Sequence, residues 1–287
     1  MRGEGRPAGD LPDTERSRPA GRLIARGKDW AMSEFVCHAG PHDRPFEERH
    51  DYVAIAAVID GSFTYRTDSG RALLYPGSFL LGNFGACFEC GHDHGTGDRC
   101  ISLHFSPEYF AEMSATAAGS SRYKFPTATL PVAKKFTSAI VRLESIASGD
   151  LPLRTEEAVA SLVETVVSTV SGHAPSVGLT SSRDERRIVE VVRYMEEHAT
   201  EPLDLDGLAK VAGVSKYHFL RTFRRAVGIS PYQFLLTFRM RQAALRLITS
   251  SDSVTSVGFE SGFGDLSTFN GHFRDLFGLS PRKYRER

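Results

Sequence analysis

Five candidate metal ligands fall within fourteen residues in the stretch CFECGHDHGTGDRC: Cys87, Cys90, His92, His94 and Cys100. Thiolate sulfur and imidazole nitrogen suit a tetrahedral zinc ion, and Cys-x-x-Cys and His-x-His spacings let one local stretch supply two ligands. The intervening glycines allow such a loop to fold around an ion. Cys90, His92, His94 and Cys100 are the expected metal ligands, with Cys37, His50 and His104 as candidates from outside the cluster. Zinc is the only cofactor the sequence suggests, and no other Cys-x-x-Cys pair exists to make it certain. Two other readings stay open: buried thiols beside loop histidines, or a redox switch in which neighbouring groups lower a thiol pKa.

A different chemistry is written near the end of the chain, where GISPYQF from Gly228 is nearly repeated as GLSPRKY from Gly278. In the same register Phe219 matches Phe269, Phe223 matches Phe273 and Arg224 matches Arg274. Further upstream Ala209 matches Gly258 and Gly213 matches Gly262, so one structural unit is duplicated. In the first unit a small residue at Ala209, a glycine four positions later and Ser215 as a cap describe two helices joined by a tight turn, and the second unit repeats the plan. The phenylalanines, four apart, belong to the core. The opposite face of the first unit presents Lys216, Tyr217, Leu220, Arg221 and Arg224, which suits a DNA groove. In the second unit Asp265, Leu266, Ser267, Asn270, Gly271 and Arg274 face outward. That face is less basic and is expected to add less affinity.

Bulk charge gives no such hint, since 35 basic and 35 acidic residues cancel. From residue 183 onward, however, 17 Lys/Arg stand against 13 Asp/Glu, and residues 207–251 hold eight basic residues and no acidic one. No apolar run is long enough for a membrane span, and the first residues lack a signal-peptide core, so a cytoplasmic location is expected.

These residues need elements to hold them. Residues 1–25, rich in Gly, Pro, Arg and Asp, are expected to be a disordered tail. Residues 29–107 alternate short apolar runs with turn signals at Asp60-Gly61, Asp68-Ser69-Gly70 and Pro76-Gly77, and read as strands. Two helices should follow, one after Pro131 and one starting at Thr155. Val159, Leu162, Val163, Val166, Val167 and Val170 form an apolar stripe on the latter, for its own domain or for a dimer. A Gly/Pro/Ser-rich linker over residues 173–182 then separates a domain over residues 26–172 from an all-helical one over residues 183–287.

Residues 186–285 resemble the DNA-binding domain of AraC/XylS-family bacterial transcription regulators, most closely in GFESGFGDLSTFNGHFRDLFGLSPRKYR and LAKVAGVSKYHFLRTFRRAVGISPYQF. The resemblance implies two helix-turn-helix units bridged by one long helix, here residues 230–248. It assigns base reading to Tyr217, Leu220 and Arg221, and in the second unit to Leu266, Ser267, Asn270 and Gly271. Gly271 has no side chain and Leu266 offers only apolar contact. Gly70, Pro76-Gly77 and Asn83, with His50 and Gly61, are similar to cupin motifs, although Phe79 and Leu80 stand where a metal-binding histidine is expected. The resemblance thus implies a mainly-β cupin-like barrel with appended helices that senses a small molecule or metal, followed by an all-α bihelical domain. Its implied partners are double-stranded DNA, RNA polymerase and a second copy of the chain. Its implied activity is transcription activation rather than catalysis. A metal- or thiol-responsive repressor and a cupin metalloenzyme with a DNA-binding tether are the alternatives.

Overall fold

The strand VAIAAVIDG, β4 (Val53–Gly61), is buried at every position through Ile59 because both its faces are covered. Val53, Ile55, Ala57 and Ile59 enter one core, while Ala56 and Val58 enter another. A strand covered on both sides reads as a continuous apolar run, and the two-residue alternation sorts its side chains between the cores. Its neighbour β9 (Asp98–Phe105) does the same: Ile101, Leu103 and Phe105 point one way, and Cys100, Ser102 and His104 the other.

The computed structural model describes residues 19–118, 123–149, 152–172 and 181–286. Around β4 and β9 lie β1 (Ala20–Arg26), β2 (Trp30–Cys37), β3 (Phe46–Arg49), β5 (Phe63–Thr67), β6 (Gly70–Leu74), β7 (Phe79–Gly82), β8 (Cys87–Gly91) and the short β10 (Thr129–Leu130). One sheet runs β1-β2-β9-β4-β7-β10 and the other β3-β8-β5-β6, and all strand pairs among the described residues are antiparallel. Together they form the expected mainly-β, cupin-like half as an open barrel with a cavity of about 270 Å³ between the sheets. Small residues clear that space, since β4 turns Ala54 and Ala56 toward it.

The other face of the larger sheet is covered by α1 (Pro107–Ala118), α2 (Thr137–Ala147) and α3 (Pro152–Ser171). All six residues of the α3 stripe are buried in this core, so the stripe packs its own half rather than a second copy. Each such side chain contributes roughly 1.5–3 kcal/mol. Three expectations are corrected here. Residues 20–26 are a strand paired with β2 instead of tail, because pairing satisfies their backbone where side-chain burial is slight. The helix expected at Thr155 starts at Pro152. Helix α1 was not expected at all, although Ser106 caps it through Tyr109 N at 3.2 Å and Pro107 opens its first turn.

The C-terminal half is all-helical: α4 (Ser182–Glu197), α5 (Leu205–Val211), α6 (Lys216–Val227), α7 (Pro231–Thr249), α8 (Val254–Glu260), α9 (Leu266–Phe277) and α10 (Pro281–Arg285). Residues 173–180 of the expected linker lie outside the described residues, as do residues 1–18 of the expected tail. The two halves share cores. Tyr75 and Val132 pack with Ile188 and Val192, and Val141 packs with Met240, Ala244 and Phe273. Two arginines cross the same boundary. Arg71 holds Glu185 at 2.7 and 2.8 Å, while the buried Arg241 donates to the Ile59 carbonyl at 2.7 Å and pairs with Glu144 at 3.5 Å.

Candidate nucleic-acid interface and barrel cavity

The duplicated unit is built by local rules. Asp204 caps α5 by accepting from Gly207 N at 2.6 Å, Ser215 caps α6, and Ser230 with Gln233 closes a capping box on α7. The second copy repeats the devices with Ser253 on α8, Asp265 on α9 and Ser280 on α10. In the turns Gly213 and Gly262 adopt φ of 62° and 85°, which an L side chain rarely accepts. Ala209 and Gly258 are the small residues at the helix crossings. A Cβ on Gly258 would lie 3.0 Å from the Phe269 ring and 3.1 Å from Leu266 Cδ2, so any side chain there would press α9 away by at least a few tenths of an ångström.

With Phe219, Phe223, Phe269 and Phe273 buried, α6 and α9 turn their remaining faces outward. Tyr217 is 83% exposed, and Arg221 and Arg224 are exposed beside it. Lys216 is engaged by Asp206 at 2.7 Å, and Leu220 is half-buried. On α9, Ser267, Gly271 and Arg274 are exposed and Asn270 is half-buried. Leu266, expected to face outward, instead packs against the second unit's core through Gly258. An apolar side chain beside a glycine gains more from that contact than from water.

In the N-terminal half the cavity is lined by aromatic and small side chains with a few polar atoms. The His50 ring stacks on Phe88 at 4.2 Å and its Nε2 meets the Tyr65 hydroxyl at 2.7 Å. Burial, with His104 nearby, pushes the His50 pKa down to about 4, and burial lowers that of His104 as well. Both imidazoles are therefore neutral at pH 7. Burial pushes the Cys37 thiol up to about 11 and raises the thiols of Cys90 and Cys100. Leu80, at the place of the missing cupin histidine, is part of the cavity wall.

The expected ligand set does not assemble as one group. His92 meets Asp98 at 2.8 Å, with Cys37 as the third member of a compact cluster. Cys100 donates its thiol proton to the other Asp98 oxygen at 3.2 Å, and Cys90 lies in the cavity wall. His94 turns the other way, toward Glu185 of α4 at 3.8 Å, because the chain has left β8 at Gly91 and bends over residues 93–96. Asp98 and Arg241 were missed by sequence reasoning. Asp98 could have been found as a third ligand type two residues before Cys100. Arg241 falls seven residues after the buried Phe234, on the inward stripe of α7.

The family model described as a helix-turn-helix domain matches residues 208–287. The transcriptional activator AarP of Providencia stuartii is 31% identical over 98 residues, covering 34% of this chain and 73% of AarP. The chain belongs to the AraC-type transcriptional regulators. Among other members, the uncharacterized HTH-type transcriptional regulator YbfI of Bacillus subtilis (strain 168) is 27% identical over 221 residues, covering 76% of this chain and 78% of YbfI. The DNA-binding domain of AdpA, solved in complex with a target DNA, is 40% identical over 35% of this chain and 90% of that domain, with a TM-score of 0.34. As an AraC-type regulator the chain is a DNA-binding protein, and no helix among its described residues is long and apolar enough to cross a membrane.

Proposed function

We propose that this AraC-type regulator is a sequence-specific activator that places α6 and α9 in successive major-groove segments of one operator. The observation carrying this reading is the pair of helix-turn-helix units, capped at corresponding positions and joined by the single helix α7. At 19 residues α7 is about 28 Å long, close to the ~34 Å between major-groove segments one turn apart. Tyr217, Leu220 and Arg221 read bases from α6, while Ser267 and Asn270 do so from α9, with Leu266 and Gly271 contributing little. Lys216, Arg224 and Arg274 hold phosphates.

Residues 26–172 act as the sensing half, residues 173–182 as the linker and residues 183–287 as the reading half. A small molecule in the barrel cavity shifts the balance between arrangements of the two halves by binding one better than the other. The cavity's aromatic walls and neutral imidazoles favour an apolar ligand with a few hydrogen-bonding groups. The protein works in the cytoplasm as a homodimer with RNA polymerase as its further partner, and it is not an enzyme. The relative AarP, an activator by name, supports the direction of regulation. Selection of genomic fragments by the purified full-length protein tests the reading: a recurrent motif spanning two adjacent groove segments is expected. Retention of fragments with no shared sequence would refute it.

A further inference from the structure

Strand β2 ends at Cys37, directly opposite Asp98 at the start of β9, and His92 is the first residue after β8. Three elements thereby bring one sulfur, one imidazole nitrogen and one carboxylate oxygen within 4.8 Å of one another. Cys37 and His92 are 4% and 5% exposed. We propose that Cys37, His92 and Asp98 form a mononuclear binding site for a zinc-class metal ion.

The donor set selects the ion. Thiolate and imidazole favour zinc-class metals over calcium or magnesium, which prefer all-oxygen shells. Zinc bonds of roughly 2.0–2.3 Å place neighbouring ligand atoms about 3.3–3.8 Å apart, so side-chain movements of about 1 Å complete the site. The Cys100 thiol on the second Asp98 oxygen orients that carboxylate, as outer partners of metal ligands do. Cys37 and Asp98 also line the barrel cavity, so the fourth coordination position opens toward it. A water or a donor atom from a small molecule would complete the tetrahedron there.

The metal-bearing loop reaches the DNA-binding half. After His92, Asp93 meets Arg71 at 3.4 Å, and Arg71 grips Glu185 of α4. A Cβ on Gly95 would stand 3.4 Å from Val189 of the same helix. Metal occupancy and DNA affinity are therefore coupled, each changing the other by the same factor. This consequence, unlike the site itself, rests on the sensing reading given above.

Cobalt(II) serves as the spectroscopic probe in full-length protein stripped with chelator. One equivalent per chain is expected, with a tetrahedral visible spectrum and a thiolate-to-cobalt charge-transfer band. Cys37→Ser should abolish that band, Asp98→Asn should weaken binding at least about tenfold, and Cys100→Ala should weaken it about 10- to 100-fold while keeping the band. Cys90→Ser and His94→Ala should leave the spectrum unchanged. Failure of the wild-type protein to bind cobalt or zinc at micromolar concentration overturns the site, as does a band that survives Cys37→Ser and disappears with Cys90→Ser. Far-UV circular dichroism confirms that each variant is folded, and if Cys37→Ser is not, the isosteric Asp98→Asn carries the test. Equal DNA affinity of loaded and stripped protein refutes the coupling alone. Loss of specific DNA binding in both forms refutes the regulator reading while the cobalt spectrum still decides the site.

Discussion

Glu196 on α4 faces Asp60 at the end of β4 across the boundary between the halves, with the Arg241 guanidinium nearby. One Glu196 oxygen is sealed from solvent. Burial, then the Asp60 charge and the hydrogen bond between the two carboxyls, pushes the Glu196 pKa up from 4.5 to about 9, with Arg241 opposing in part. The folded protein thus keeps a proton that the unfolded chain releases near pH 4.5. Between these values the unfolded state binds fewer protons, so raising the pH favours unfolding. The contribution is fully present below pH 4.5 and is lost as pH climbs through 9.

Glu196→Gln keeps a donor for Asp60 and cannot ionise. From pH 4.5 to 7 the wild-type protein forgoes about 2.5 pH units of proton release, worth about 3 kcal/mol at ~1.4 kcal/mol per unit. The variant should therefore be more stable at pH 7 by about 3 kcal/mol, a rise of roughly 6–12 °C in melting temperature for a chain of this size. Thermal melts followed by circular dichroism at pH 4, 7 and 8.5 measure it. The two proteins should converge near pH 4 and diverge as pH rises. A variant equal to or less stable than wild type at pH 7 would show that the two carboxyls do not share a proton across the boundary.

On DNA, Arg221→Ala should cost about 1–3 kcal/mol and relax preference at one base position, whereas Arg224→Ala should weaken all sequences alike and reduce the salt slope by about one, both read by fluorescence anisotropy at several salt concentrations. Arg241→Met should destabilise by about 3–5 kcal/mol in urea titrations, because it strands the Ile59 carbonyl and leaves the buried Glu144 with Arg99 at 3.6 Å as its remaining ion pair. A loss under about 1 kcal/mol there would mean the boundary relaxes around the missing cation. Gly258→Val should destabilise by at least about 1–3 kcal/mol and impair DNA binding, since its branches drive into the Phe269 ring. Gly271→Ala, whose Cβ meets nothing within 4 Å in the middle of α9, should stabilise by about 0.5–1 kcal/mol in the same melts.

What was legible in the sequence was local. Helix caps, turn glycines and phenylalanines four apart act within one or two turns of chain, so both helix-turn-helix units and their bridging helix could be read from residue types. The barrel was readable as strands because short apolar runs are broken by turn residues at Asp60-Gly61, Asp68-Ser69-Gly70 and Pro76-Gly77, but not the cluster at its end, because Cys37 and Asp98 meet only through strand pairing. The same limit governs charge. The acid-free run of residues 207–251 reads as a DNA-facing surface, yet Lys216 is tied to Asp206, Arg246 to Asp252 and Glu260, Arg239 to the Ala199 and Glu201 carbonyls, and Arg241 is buried against the other half. Lys210, Arg221, Arg224 and Arg225 remain exposed without an ion pair among the described residues, and three of the four lie on α6. Arg239, Arg241 and Arg246 therefore fix α7 against its neighbours, and Lys216 ties α6 to α5. Within residues 207–251 the cations free of ion pairs concentrate on the helix that also carries Tyr217, which supports the proposed placement of α6 against DNA.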